Sequence, residues 1–220
     1  MKKSLLFTKL VAFALILSLL MSCGSLPCRH CTPEGSATLD LKKVPFSDTT
    51  SALYRVSIKL YSMYFSGLLA IKKIEDGSFR MSLISETGFK LFDMEVINGV
   101  AEMKNVFSEL DRENVKNTFK EDFALLVVSG FSNKICKRYT YERSEDMLFA
   151  CSEKKEISSN FLIDRKTEIL KRVWKAEEIE DEYVGINYGY PESGSMTPAF
   201  ITIVHSNVKL RMELSILENK

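Results

Sequence analysis

Few residues of this 220-residue chain are suited to chemistry: five cysteines, two histidines and one run of acids. Cys28-Arg29-His30-Cys31 has the C-x-x-C spacing of a redox dithiol, a haem attachment or half a zinc site. Each of these needs a companion that the sequence lacks. A thioredoxin-type pair sits at a helix start behind a strand, and no strand pattern precedes Cys28. Haem attachment needs a histidine directly after the second cysteine, where Thr32 stands. Zinc needs further ligands, and the other histidine, His205, is isolated in an apolar stretch that makes it a core or edge residue. In an oxidising compartment this leaves a local Cys28–Cys31 disulfide or two idle thiols. Cys136 and Cys151 fall on consecutive strand patterns, and the choice is between a cross-strand disulfide and two buried thiols. The acidic run Glu177 to Glu182 lacks the alternating ligands of a calcium loop and reads as a solvated turn. Ser193 and Ser195 belong to turn chemistry, with no base nearby in sequence. No G-x-S-x-G, P-loop or H-E-x-x-H motif occurs, and Trp174 alone is no stacking platform. The expectation is a protein without a catalytic site, metal or cofactor.

The amino terminus is more explicit. Lys2, Lys3 and Lys9 precede a twelve-residue apolar run, Leu10 to Met21. As a helix that run reaches only ~18 Å, short of a ~30 Å hydrocarbon core, so it reads as a secretory signal peptide over residues 1–22. Leu20-Met21-Ser22-Cys23 resembles the bacterial lipobox, which implies that Cys23 becomes the lipidated, palmitate-bearing first residue of the mature chain. Gly24 follows it rather than Asp, which in lipoproteins of enteric-type bacteria permits sorting to the outer membrane. Several acyl chains give stable anchoring where one alone is marginal. Without the three signal lysines, 30 basic against 29 acidic residues become 27 against 29, a net charge of −2. That is no electrostatic footprint for nucleic acid.

Residues 24–38, GSLPCRHCTPEGSAT, lack hydrophobic periodicity and read as a flexible tether, so that 23–38 is a lipidated linker and 39–220 a single β-rich domain. Within the domain the period is two. Tyr54, Val56, Ile58 and Leu60 alternate with polar neighbours. A three-residue Glu75-Asp76-Gly77 loop, with Gly77 at positive φ, sets Leu69 opposite Leu83 and Ile71 opposite Met81. Asn98-Gly99 closes a second hairpin that pairs Met94 with Met103 and Val96 with Ala101; Asp93 with Lys104 and Glu95 with Glu102 fall on the wet face. Asp111 is placed to cap a helix carrying Val115, Phe119, Phe123, Leu126 and Val127, ending before Gly130. Seven further strand patterns follow, at 134–142, 146–153, 158–164, 167–177, 182–189, 198–205 and 208–216. The fold class is mostly β, an antiparallel sheet of about a dozen strands with one or two covering helices.

The segment FSGLLAIKKIEDGSFRMSLISETGFKLFDMEVINGVAEM (65–103) resembles the amino-terminal half of LolB-like proteins, relatives of the LolA-like lipoprotein-localisation fold. With the lipobox, the chain looks like an outer-membrane lipoprotein of Bacteroidota type. The resemblance implies a curved antiparallel half-barrel with helices over its concave, acyl-chain-binding side. It departs at the polar EDG loop, where the LolB pattern has a protruding leucine, and this bears against membrane insertion by that loop. The methionines, adaptable to variable apolar guests, make Leu69, Ile71, Met81, Leu83, Met94 and Met103 the lipid-binding candidates. The expected function is that of a Gram-negative outer-membrane lipoprotein whose partners are the membrane, through its anchor, and acyl chains or lipoproteins. The alternative is a non-catalytic structural or protein-docking platform.

Overall fold

The computed structural model describes residues 28, 30–75, 77–142, 144–153 and 157–217. The expected signal peptide and Cys23 lie outside the described residues. The chain forms β1 (Cys31–Thr38), β2 (Ser51–Leu60), β3 (Met63–Glu75), β4 (Ser78–Ser85), β5 (Lys90–Ile97) and β6 (Val100–Val106), then α1 (Glu113–Leu126). There follow β7 (Ile135–Tyr141), β8 (Met147–Ser152), β9 (Ser158–Ile163), β10 (Leu170–Ala176), β11 (Glu182–Gly189), β12 (Phe200–His205) and β13 (Leu210–Ile216). All thirteen strands join one sheet in the order β1-β7-β8-β9-β10-β11-β12-β13-β2-β3-β4-β5-β6, antiparallel throughout.

The sheet does not close, yet it curls strongly. β11 and β6 are seven places apart in the order, and α1 touches both. Laid flat they would be separated by ~33 Å, about three times the width of a helix. The sheet must therefore wrap around α1. This is the mostly β, curved half-barrel that the alternation and the resemblance led to, with one α-helix among the described residues as its cover. Alternation decides which side chains turn inward. In β2, Tyr54, Val56, Ile58 and Leu60 are buried, whereas Leu53, Arg55 and Lys59 are exposed.

The hairpins keep the expected pairings in their bodies, with two corrections: Glu75, expected in the first loop, ends β3 and pairs with Ser78 after a bulge between Lys73 and Glu75, and the second concerns Asp93. Leu69 faces Leu83, and Ile71 faces Met81. Met94 faces Met103, and Val96 faces Ala101. Asp93, however, pairs with Asn105, because a bulge leaves Lys104 as an extra residue. The bulge has an electrostatic rationale. It brings Lys104 within 3.3 Å of Glu95 and 2.8 Å of Glu102, between the two like charges that face each other. Asp93 meanwhile takes a two-pronged contact from Arg80, at 3.1 and 2.9 Å, and is buried rather than wet.

Two other expectations are corrected. Asp111 does not cap α1; the cap position is Arg112, without a side-chain cap, and Asp111 instead closes a 3-10 turn at Ser108–Leu110 and pairs with Lys116 at 2.7 Å. Leu110 is buried, and its anchoring delays the helix by a residue. The segment read as a tether is, from Cys31 onward, a strand of the sheet. β1 covers the edge of β7, with a bulge between Pro33 and Gly35. Its side chains are almost all exposed, so backbone pairing and charge hold it in place. Glu34 accepts from the Thr140 hydroxyl, from Arg165 at 2.8 Å and from Arg138 at 2.8 Å. Cys28 and Cys31 are disulfide-bonded and buried beside Trp174, Leu148 and Ile179. Because neighbours Phe149 and Cys151 point into the main core, this small cluster lies on the outer face of the sheet. Cys136 and Cys151 form a second disulfide, bridging β7 and β8 within the main core.

Candidate functional site

α1 is buried progressively along its length. Glu113, Asn114 and Asn117 of its first turns are exposed and Val115 is half-buried, whereas residues 122–126 are buried. Phe119 and Phe123 sit 5.8 and 5.1 Å from Phe92 of β5, ring centre to ring centre. Two polar contacts fix the deep half to the opposite wall. The Tyr188 hydroxyl donates to the Leu126 carbonyl at 2.9 Å, and His205 Nε2 lies 2.9 and 3.0 Å from the two carboxylate oxygens of Asp122. Burial pushes the Asp122 carboxyl above its ordinary range, and the hydrogen bond from His205 opposes that shift. Burial likewise keeps Tyr188 protonated, as a donor must be.

The shallow half of α1 leaves a cleft. It lies between the first turns of the helix, the β2–β3 turn and the β12–β13 turn, with a volume of about 350 Å³. Its apolar walls are Leu60, Val115, Phe119, Val208 and Leu210; Arg112, Glu113, Asn114, Thr118 and Tyr61 form the rim. Leu60, Phe119 and Leu210 are themselves buried members of the main core, so the cleft leads down into the core rather than resting on the surface. A second groove of about 410 Å³ adjoins it and shares Tyr61 and Leu210. That groove is lined by Lys59, His205, Lys209 and Arg211. Tyr61, at the border, has φ 54, a left-handed conformation uncommon for a bulky side chain.

The six residues selected from the sequence are brought together on the inner face. Ile71, Met81, Met94 and Met103 form one row across β3 to β6, and Leu69 and Leu83 belong to the next. Leu69, Ile71, Met81, Leu83 and Met94 are fully buried in the main core, and Met103 packs against it half-buried. None of the six lines the cleft under α1 or the basic groove. The cleft residues carried a weaker signal. Val115 and Phe119 read as one helix stripe and Leu60 as the end of a strand pattern, and nothing in one sequence says that these meet Val208 and Leu210.

No family model matches the sequence, and no curated protein matches it significantly. Among solved structures, the chain is similar to a LolA superfamily protein from Nitrosomonas europaea, with a TM-score of 0.49 and 7% identity over 81% of this chain and 88% of that one. A DUF1329 family protein from Desulfovibrio piger aligns with a TM-score of 0.42 and 6% identity, over 78% and 85%. An outer membrane lipoprotein-sorting protein domain from Vibrio parahaemolyticus aligns at 0.40 and 7%, over 76% and 83%.

Proposed function

We propose that this chain is a non-catalytic lipoprotein of the Gram-negative outer membrane, anchored through Cys23, that binds an acyl chain of a lipid or of another lipoprotein in the cleft under α1. The observation that carries this reading is the cleft's floor: Leu60, Phe119 and Leu210 continue directly into the core. A concave site with apolar walls and a polar rim is what an acyl chain requires. The volume lies at the small end of the range for such sites, enough for part of one chain. A ligand with several chains needs α1 to swing outward from its shallow end.

Uptake of a fluorescent fatty acid by the delipidated mature chain tests the reading, with native mass spectrometry for co-purifying lipid. Phe119→Glu should abolish uptake; a wild type that takes up no acyl probe defeats the proposal. The anchor is tested separately. Cys23→Ser should release the protein from membranes and end palmitate labelling, and a variant that still labels and pellets with membranes defeats that part. One observation favours the alternative, a docking platform. Leu69, Ile71, Met81, Leu83 and Met94 are packed solidly, while Leu53, Leu68, Ile84 and Phe200 are exposed, and Leu68 and Ile84 are cross-strand partners on the outer face. Absence of acyl uptake with an intact fold is the result that selects it.

A further inference from the structure

Resting on the readings of Cys23 as the anchor and of the cleft as an acyl site, we propose that the chain meets the bilayer a second time. The contact is an aromatic lip of Tyr61, Tyr64 and Phe89 around the mouth of the cleft, which thereby opens onto the membrane interface.

The exposed aromatic residues cluster. Four aromatic side chains are exposed among the described residues: Tyr61, Tyr64, Phe89 and Phe200. Consecutive antiparallel hairpins alternate between the two ends of a sheet, so the β2–β3 turn and the β4–β5 loop share one end, and α1 starts there after β6. That end carries Tyr61, Tyr64 and Phe89, at 57, 66 and 64% exposure, with Met63 exposed beside the tyrosines. It is also the end at which the cleft opens, between the β2–β3 turn, the β12–β13 turn and the first turns of α1. The Phe89 ring stacks on Phe107 at 6.5 Å, centre to centre, just before that helix. Phe200 begins β12 and so lies at the far end, where the exposed apolar residues Ile74, Ile97 and Val100 are aliphatic and flank polar turns.

The turn itself is unusual in composition. Leu60 faces Met63 across two residues, Tyr61-Ser62, and Tyr61 has φ 54 at the first central position, which glycine ordinarily takes. The far end obeys that preference, with Gly77 and Asn98-Gly99 at positive φ. Chain reversal does not call for a bulky ring at Tyr61. Rings with a polar handle suit the boundary between hydrocarbon and water. Exposed charges at this end have both signs, Glu86, Glu109 and Glu113 against Arg112 and Lys209, so the contact is apolar and does not depend on anionic lipid.

The place where the fold begins selects a bilayer as the occupant. Cys28 and Ile179 of the β10–β11 loop line one outer-face pocket. Ser206 of the β12–β13 turn donates its N–H to the Tyr183 carbonyl, just past that loop, at 3.1 Å, and the Tyr61 N–H donates to the Lys209 carbonyl of the same turn at 2.7 Å. The β10–β11, β12–β13 and β2–β3 connections thus form one rim, with Cys28 near its start and the lip at its other end. Cys23 precedes Cys28 by five residues, a span of ~18 Å at most. A membrane that holds Cys23 therefore lies along the rim that carries the lip.

The test uses the mature chain carrying Cys23→Ser, which removes the anchor, and phosphatidylcholine vesicles in a flotation assay. Binding that persists at high salt is expected. Tyr64→Gln with Phe89→Gln, neither of which lines the cleft, should weaken it about tenfold and leave uptake of a soluble fluorescent fatty acid unchanged. In Phe89→Trp, lipid brominated on its acyl chains should quench the added emission. Ile97→Gln with Val100→Gln, at the far end, should bind vesicles as the wild type does. No vesicle binding by the wild type, or binding that survives in the Tyr64/Phe89 variant, overturns the lip and leaves the acyl site to its own test. Binding lost in the Ile97/Val100 variant places the contact at the wrong end and overturns it too. A concentration-dependent dimer that the Tyr64/Phe89 variant cannot form makes the rings an interface between copies, which also overturns it. Vesicle binding without any fatty-acid uptake supports the lip and defeats the acyl reading alone.

Discussion

Burial of Asp122, on the deep half of α1, penalises its charge, and the contact with His205 offsets part of that penalty. Asp122→Ala would leave a buried imidazole nitrogen without its partner, and unfolding in urea should show a loss of about 1–3 kcal/mol. Asp122→Asn keeps an acceptor and should cost less. The direction of the pH effect follows from the raised pKa. Unfolded, the group ionises near pH ~4; folded, it does so at higher pH. Its contribution is complete below the unfolded value and is lost as pH rises through the folded one. Relative to Asp122→Asn, the wild type should therefore lose stability on titration upward from about pH 4. A difference that stays flat, or grows with pH, refutes the assignment. The pair was invisible in the sequence, because the partners stand 83 positions apart, Asp122 directly after the charged Lys120-Glu121 and His205 at the end of an apolar strand. Periodicity identifies a buried face, not the polar contact within it.

At the scale of elements, the β5–β6 hairpin tip is locked against the loop that follows α1. The Gly99 N–H donates to the Ser129 hydroxyl at 2.9 Å, and a Cβ on Gly130 would stand 2.5 Å from the Asn98 carbonyl oxygen. Gly130 also has φ 80. Gly130→Ala should therefore destabilise by more than the ~1 kcal/mol of a simple left-handed glycine replacement, measured by denaturant midpoint at constant m-value. A neutral result would mean that the tip and the loop separate easily. The two disulfides should differ as their loops do. Cys136–Cys151 spans 15 positions and Cys28–Cys31 spans three. Replacing both Cys136 and Cys151 by Ala should cost ~3 kcal/mol, and replacing Cys28 and Cys31 about half as much. Equal losses would show that the outer-face cluster around Trp174 depends on its disulfide more than loop entropy allows. Most hairpins were legible because alternation and turn residues agree on one register. The bulge at Lys104 was not, since it answers to the charges of Glu95 and Glu102 rather than to any turn. β1 was not either: it has no apolar face and joins the sheet through its backbone and Glu34.

The whole molecule should be sensitive to acid. Arg80 holds Asp93 below the usual carboxylate range; Lys171 and the Thr167 backbone do the same for Asp164, and the Thr140 hydroxyl and Arg165 for Glu34. Each contributes stability above its unfolded pKa that is lost as pH falls through its folded value, so unfolding should become easier below about pH 4. Asp122 adds no slope there, being protonated in both states. Stability that is level from pH 5 to pH 2 would contradict the ion-pair geometry. The early start of the fold matters at this scale too. Cys28 is already packed beside Trp174, and it is five residues beyond Cys23. With the anchor proposed there, the leash spans no more than ~18 Å. A domain held so close meets the bilayer as an intramolecular neighbour, at an effective concentration set by that leash and not by diffusion. Its cleft could then exchange acyl chains with the membrane at an intrinsic affinity too weak to retain them in solution. Inserting a long Gly/Ser spacer after Gly24 should slow that exchange while leaving binding to soluble probes unchanged.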